Sequence, residues 1–159
     1  MQAQAPLPKR RGLPPNLPLP TMHIFSYPNS TVAIDQLQSF CSASALPAPW
    51  ILGEDDVETS LFELVARADS AQGVPSNPAD PAIAAARFDL EVPVIIFHRI
   101  NEEDIRGLIS KYKAAGQWPI FVVVTPASIE QKLSFLIPQF IEDREREQAW
   151  RKKKRKDEA

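Results

Sequence analysis

Carboxylates, imidazoles, a single thiol and a block of cations are the side chains in this chain whose types and spacing suit chemistry. Glu54-Asp55-Asp56-Glu58 and Glu102-Glu103-Asp104 have the density that hard cations or general acid catalysis would use. Both clusters also fall where helices are expected to begin. Unpaired N–H groups and the helix dipole favour negative charge there by about 0.3–1 kcal/mol, and neither cluster has EF-hand spacing, so both are assigned to helix starts. His23 and His98 have no second ligand at a metal-binding spacing and are read as structural. Cys41 lies among apolar residues at helical spacing and is expected as a buried, unreactive thiol. No Gly-x-Gly-x-x-Gly and no Walker-type loop occurs, and five glycines in 159 residues leave the strand-to-helix turns short of the open backbone that phosphates require. The expectation is therefore no catalytic constellation, no metal and no cofactor.

The remaining candidate is cationic. Arg151-Lys152-Lys153-Lys154-Arg155-Lys156 is an unbroken run of six basic residues, preceded by Trp150 on an otherwise charged segment. A large aromatic beside such a run has the character of a docking anchor. The run itself suits nucleic-acid phosphate, an acidic protein or anionic lipid. Charge is divided along the chain. Residues 21–141 hold seven basic and fourteen acidic side chains, whereas Lys9, Arg10 and Arg11 are the only charges in residues 1–20. An acidic body repels a phosphate backbone, so contacts with nucleic acid are expected from the ends alone.

The elements that must position these groups are legible as a pattern that recurs. Residues 24–66 laid without gaps on 96–138 keep Ile24 on Ile96, Phe25 on Phe97, Leu61 on Leu133 and Leu64 on Leu136, with eight identities in 43 positions that fall on core or capping types. Each half reads as strand, helix, strand, helix. In the first, Met22 to Tyr27 is a strand, a helix runs from about Thr31, Trp50-Ile51-Leu52 is a short strand, and Gly53 to Asp56 turns into a helix through about Ala71 with the stripe Val57, Leu61, Leu64, Val65, Ala68. In the second, Val94-Ile95-Ile96-Phe97 is a strand buried on both faces, and Asn101 caps a helix that ends at Gly116. Ile120 to Val124 is the strongest strand in the chain, and Thr125 to Ser128 leads into a last helix with Pro138 inside it.

The fold class expected is α/β: two tandem β-α-β-α repeats with mainly parallel strands and right-handed crossovers, the more apolar second pair of strands at the centre and the first pair nearer an edge. The organisation is a Pro-rich basic arm over 1–20, the first repeat over 21–71, a Pro/Ala-rich linker over 72–91 with a helical turn at 82–87, the second repeat over 92–141, and a charged helical extension and basic tail over 142–159. Mutual repulsion of the six cations is expected to fray the end of that extension.

The second unit, through Val94-Ile95-Ile96-Phe97, then Asn101-Glu102-Glu103-Asp104-Ile105, then a strand ending in Thr125 and a helix entered through Pro126 to Glu130, resembles a family of small uncharacterised α/β domains of bacterial type, known mostly as a domain of unknown function. The resemblance covers about residues 92–142 and, through the repeat, 22–70, with Gly53 in the place of Thr125. It implies a fold and carries over no catalytic residue.

Two functional classes are weighed. The leading one is a non-catalytic interaction or assembly module in which Trp150, Arg151, Lys152, Lys153, Lys154, Arg155 and Lys156 contact a larger protein or ribonucleoprotein partner, with nucleic-acid binding through the tails as a variant. The rival is a small-ligand-binding or regulatory domain, or a cryptic enzyme, with its site at the C-terminal ends of the strands near His98, Arg99, Thr125 and Ser128. No stretch approaches the roughly 20 apolar residues of a membrane span. A lone cysteine suits a reducing intracellular compartment, with plastid or mitochondrion open.

Overall fold

A computed structural model describes residues 22–70 and 81–158. The Pro-rich arm, most of the 72–91 linker's first half and the last residue lie outside the described residues. Four strands, β1 (His23–Tyr27), β2 (Trp50–Ile51), β3 (Val94–His98) and β4 (Ile120–Val123), form one mixed sheet in the order β2-β1-β3-β4. β1 pairs in parallel with β2, and β3 with β4, while β1 and β3 run antiparallel down the middle. Mainly parallel pairing is therefore what the sheet has.

Helices cover both faces. α1 (Thr31–Ala43) and α4 (Glu102–Ala114) bury Leu37, Cys41, Leu108 and Tyr112 against Ile24, Ile95 and Phe97 on one side. α2 (Leu61–Ser70), α3 (Pro81–Phe88) and α5 (Leu133–Glu158) pack Leu61, Leu64, Ala84, Leu133 and Ile137 against Phe25, Tyr27, Val94 and Ile96 on the other. Alternation along each strand sends neighbouring residues to opposite layers, which is why continuous apolar runs are needed in a sheet covered twice.

Local chemistry sets the helix ends. Ser30 Oγ accepts from the Ala33 N–H at 3.1 Å, and Asn101 Oδ1 accepts from the Asp104 N–H at 2.8 Å, each satisfying a donor that the first turn leaves unpaired. α4 ends at Gly116 with φ of 73°, a left-handed position that glycine adopts without strain, while Ala45 holds the corresponding place after α1 at φ 57°.

Three expectations are corrected. β1 is buried along its whole length at the centre, and β4, the most β-prone strand, lies at an edge. β1 and β3 pair with each other at the centre, so β2 and β4 are left outermost. Secondly, the first unit's second helix begins only at Leu61, after a 3₁₀ turn over Glu54–Asp56. Residues 57–60 instead bond across to the second half: Leu61 N–H donates to Gln131 O, Phe62 N–H to Ile129 O, Leu133 N–H to Thr59 O and Ser134 N–H to Val57 O. The last helix likewise starts at Leu133 and not near Ser128. Thirdly, α5, which contains Pro138, stays helical through all six terminal cations, where fraying was expected. Acid-before-base pairs Glu142–Arg146 at 2.7 Å and Glu147–Arg151 at 3.3 Å support that stretch from the side.

The spacing between matching positions also changes along the chain. Ser30, Ile34, Leu37 and Cys41 have their counterparts 71 positions on, at Asn101, Ile105, Leu108 and Tyr112. From Leu52, whose N–H donates to Ser26 O as that of Val124 does to Phe97 O, the spacing becomes 72. An ungapped shift of 72 thus pairs Ile24 with Ile96, two residues that face opposite helical layers.

Candidate functional site

The edge position of β4 determines what this protein offers to a partner. In a parallel pair, alternate residues of a strand point both backbone groups at one neighbour. Ile120 N–H donates to Pro93 O at 3.0 Å and Val124 N–H to Phe97 O at 2.9 Å, so 120, 122 and 124 serve β3. Phe121 and Val123 consequently turn N–H and C=O outward, and among the described residues no strand lies on that side. Val123 is 52% exposed, and Trp118, just ahead of the strand, 53%.

A groove of about 1550 Å³ follows this edge. Its floor is β4 from Ile120 to Val123. Ile109 and Lys113 of α4 form one wall, and α5 forms the other, from Phe140 through Arg144 to Trp150 and Arg155. The apolar floor exists because a doubly covered sheet requires an apolar strand, and the strand that supplies it here has helices above and below but, among the described residues, no strand on its outer side.

The walls are cationic. Lys113, Arg144, Arg151, Lys152, Lys154 and Arg155 face the groove against Asp143 and Glu147. Glu147 is engaged by Arg151, and Asp143 by Arg146 at 3.1 Å. Lys113 stands 6.0 Å from the Trp118 ring centre and Lys154 5.2 Å from that of Trp150, each cation held over an indole face. Trp150 is 59% exposed. Of the cations singled out in the sequence, Arg151, Lys152, Lys154 and Arg155 line the groove with Trp150, while Lys153 and Lys156 are exposed on α5 outside it.

The residues proposed for a small-molecule site are arranged differently. Thr125 and Ser128 close on each other: Thr125 N–H donates to Ser128 Oγ at 2.9 Å and Ser128 N–H to Thr125 Oγ1 at 3.1 Å. Their polar groups are spent in a turn that satisfies itself. Arg99 follows β3 with φ at 60°. His98, the last residue of β3, meets His23 across the central seam, Nδ1 to Nδ1 at 3.2 Å. The Nε2 of His23 is 3.0 Å from Asp69 Oδ1 on α2, in contact but off the line of the ring N–H. Burial pushes both imidazole pKa values down. In His23 the Asp69 carboxylate opposes this, and in His98 the neighbouring His23 and Arg99 reinforce it. Because β1 and β3 are antiparallel, the C-terminal end of β3 meets the N-terminal end of β1, and the strand ends of the two halves point away from each other.

Cys41 is buried, and desolvation pushes its thiol up to about 11, so it is protonated and inert at neutral pH. The acidic clusters lie at the 3₁₀ turn and at the start of α4, where Asp56 Oδ2 accepts the Gly53 N–H and Asp104 takes the Asn101 side chain. Among the described residues no group of three or more His, Cys, Asp or Glu is placed to hold a metal ion. None of the helices among them is long and apolar enough to cross a membrane.

The contacts of His23 with His98 and Asp69 are not legible in the sequence, where the two histidines stand 75 residues apart. Trp118 and Lys113 were missed as well. A signal was present, an aromatic directly before the strongest strand, but its meaning depended on that strand being outermost.

Comparison with family models, with curated proteins and with solved structures returns no match for this chain.

Proposed function

We propose that this chain is a non-catalytic interaction module that captures an anionic partner along the β4–α5 groove. One observation carries the reading: an apolar floor is left open beside four cations, Arg144, Lys152, Lys154 and Arg155, that have no ion pair among the described residues. Natural proteins blunt an exposed, charge-free edge strand unless it is used, and the Ile120–Val123 strand carries no blunting charge. Buried apolar contact on the floor supplies affinity, and the cationic walls supply steering and selection by charge.

The same reading takes the molecule as two copies of one β-α-β-α unit. Its support is the reciprocity of the bonds between Val57–Phe62 and Ile129–Ser134, each of which exchanges with its counterpart under a 72-residue shift. On this view the first copy is scaffold, and the second, with its long terminal helix, is the binding half.

Fluorescence anisotropy with a labelled acidic peptide tests the module. The intact chain is expected to bind with affinity that falls steeply with salt. The R144E/K152E/K154E variant and deletion of 142–159 should each abolish binding while leaving Tm almost unchanged. A chain that takes up no acidic ligand at low salt sinks the reading.

A further inference from the structure

We propose that the occupant of the groove is an extended acidic peptide segment that adds to the sheet as a fifth strand beside β4; this rests on the module reading above and specifies its mode. The outward N–H and C=O groups of Phe121 and Val123 repeat at the two-residue interval of a strand, so the floor presents donors and acceptors in alternation. A peptide backbone supplies the complementary alternation, whereas a nucleic-acid backbone supplies acceptors without amide donors. The groove is shaped for the same ligand. With α4 above and α5 below the sheet plane, an added strand enters a slot between two helices and is covered on both faces, as β1 and β3 already are.

Strand alternation then sorts the ligand's side chains. One set faces Ile109, Lys113 and Trp118 on the α4 side, and the other faces Phe140 and Arg144 on the α5 side. Each wall combines an apolar residue with a cation, so the fitting segment carries aliphatic residues interspersed with Asp or Glu. Charge also argues against other occupants from this chain. A second copy docking edge to edge would bring its own cationic walls against these. Residues 1–20 contain Lys9, Arg10 and Arg11 and no carboxylate.

The test uses the full chain, isotopically labelled, and a blocked octapeptide alternating Glu or Asp with Val or Ile. Binding is expected to slow amide exchange at Phe121 and Val123 at least tenfold, without the same effect at the β2 edge. An otherwise identical peptide N-methylated at alternate residues, which cannot complete the ladder, should bind at least tenfold more weakly. Substitution V123P removes an outward N–H that β3 does not use, and should weaken the unmodified peptide to a similar degree. The N-methyl comparison is made on the unaltered protein and therefore decides the matter if V123P folds poorly. Equal affinity for both peptides, with no amide protection, overturns strand addition while leaving the anionic module intact. Failure of every acidic ligand overturns both. Protection of the β4 amides in a peptide-free dimer, or a single-stranded oligonucleotide that protects them and outcompetes the peptide, also overturns the proposal.

Discussion

The two edges of the sheet, β2 and β4, differ in nearly every property that governs association. β2 has two residues, follows Pro47 and Pro49, and buries Trp50 and Ile51 with Leu52 beyond them. β4 has four residues and leaves Val123 half in solvent with Trp118 beside it. Short length and nearby prolines are recognised ways of closing an edge to pairing. One edge is thus finished and the other unfinished, although both second strands make the same kind of parallel pair with the strand inside them. A further difference lies outside the strands: α5 runs to Glu158 and provides a wall beside β4.

The largest expected break in this comparison is Trp50→Ala at the finished edge. An aromatic side chain 8% exposed is lost from the larger core layer, and large-to-small changes of this kind cost about 3–5 kcal/mol. Denaturant unfolding should show a much lower midpoint, whereas Val123→Ala on the open edge should stay within about 0.5 kcal/mol of the parent. Similar losses for the two would mean that the edges are equally integrated and the contrast is false. Smaller effects are expected at the caps. Ser30→Ala on α1 and Asn101→Ala on α4 should each cost about 1 kcal/mol, but only Asn101→Ala, which loosens a groove wall, should weaken peptide binding.

Acidification probes the seam between the edges. His23 and His98 have folded-state pKa values below the unfolded histidine value of about 6.5. The unfolded chain therefore binds more protons below that value. Their contribution to stability is complete above about pH 6.5 and declines as the pH falls beneath it, down to the folded-state values. Urea midpoints at pH 7 and pH 5 should fall with acid, and less so in His98→Asn, which breaks the Nδ1 contact; an unchanged slope would remove the pair from the account. The smallest effect on stability is expected from Val123→Glu, which places a negative charge on the open edge. Tm should barely move, and the octapeptide should nevertheless lose most of its affinity.

The starts of α1 and α4 were legible, at about Thr31 and after Asn101, because caps and stripes of apolar residues depend only on near neighbours in the chain. The strand order was not. Apolar content led to placing β4 at the centre, yet order depends on which strands pair between the halves, and β1 and β3 pair across about 70 residues. The start of α2 was misjudged for the same kind of reason: Val57 fits a helical stripe, but the carbonyls of Val57 and Thr59 accept from the N–H groups of Ser134 and Leu133. The cationic run and Trp150 were visible as candidates from the sequence. That they form a wall, with Lys113 and Trp118 opposite, follows only once β4 is known to be outermost.

The length of α5 has a kinetic consequence. Twenty-six helical residues extend about 39 Å at 1.5 Å per residue, while four residues of strand cover about 13 Å. The rod is therefore longer than the strand it flanks, and its six consecutive cations prolong the wall of the groove, with Lys153 and Lys156 outside the lining. Screening at physiological salt limits electrostatic attraction to about 8 Å from a charge. A rod of that length widens the volume within which an anionic chain is first caught, before any residue of that chain reaches the floor. Changes at Lys153 and Lys156, which point away from the groove, should accordingly slow encounter and leave the lifetime of the complex untouched.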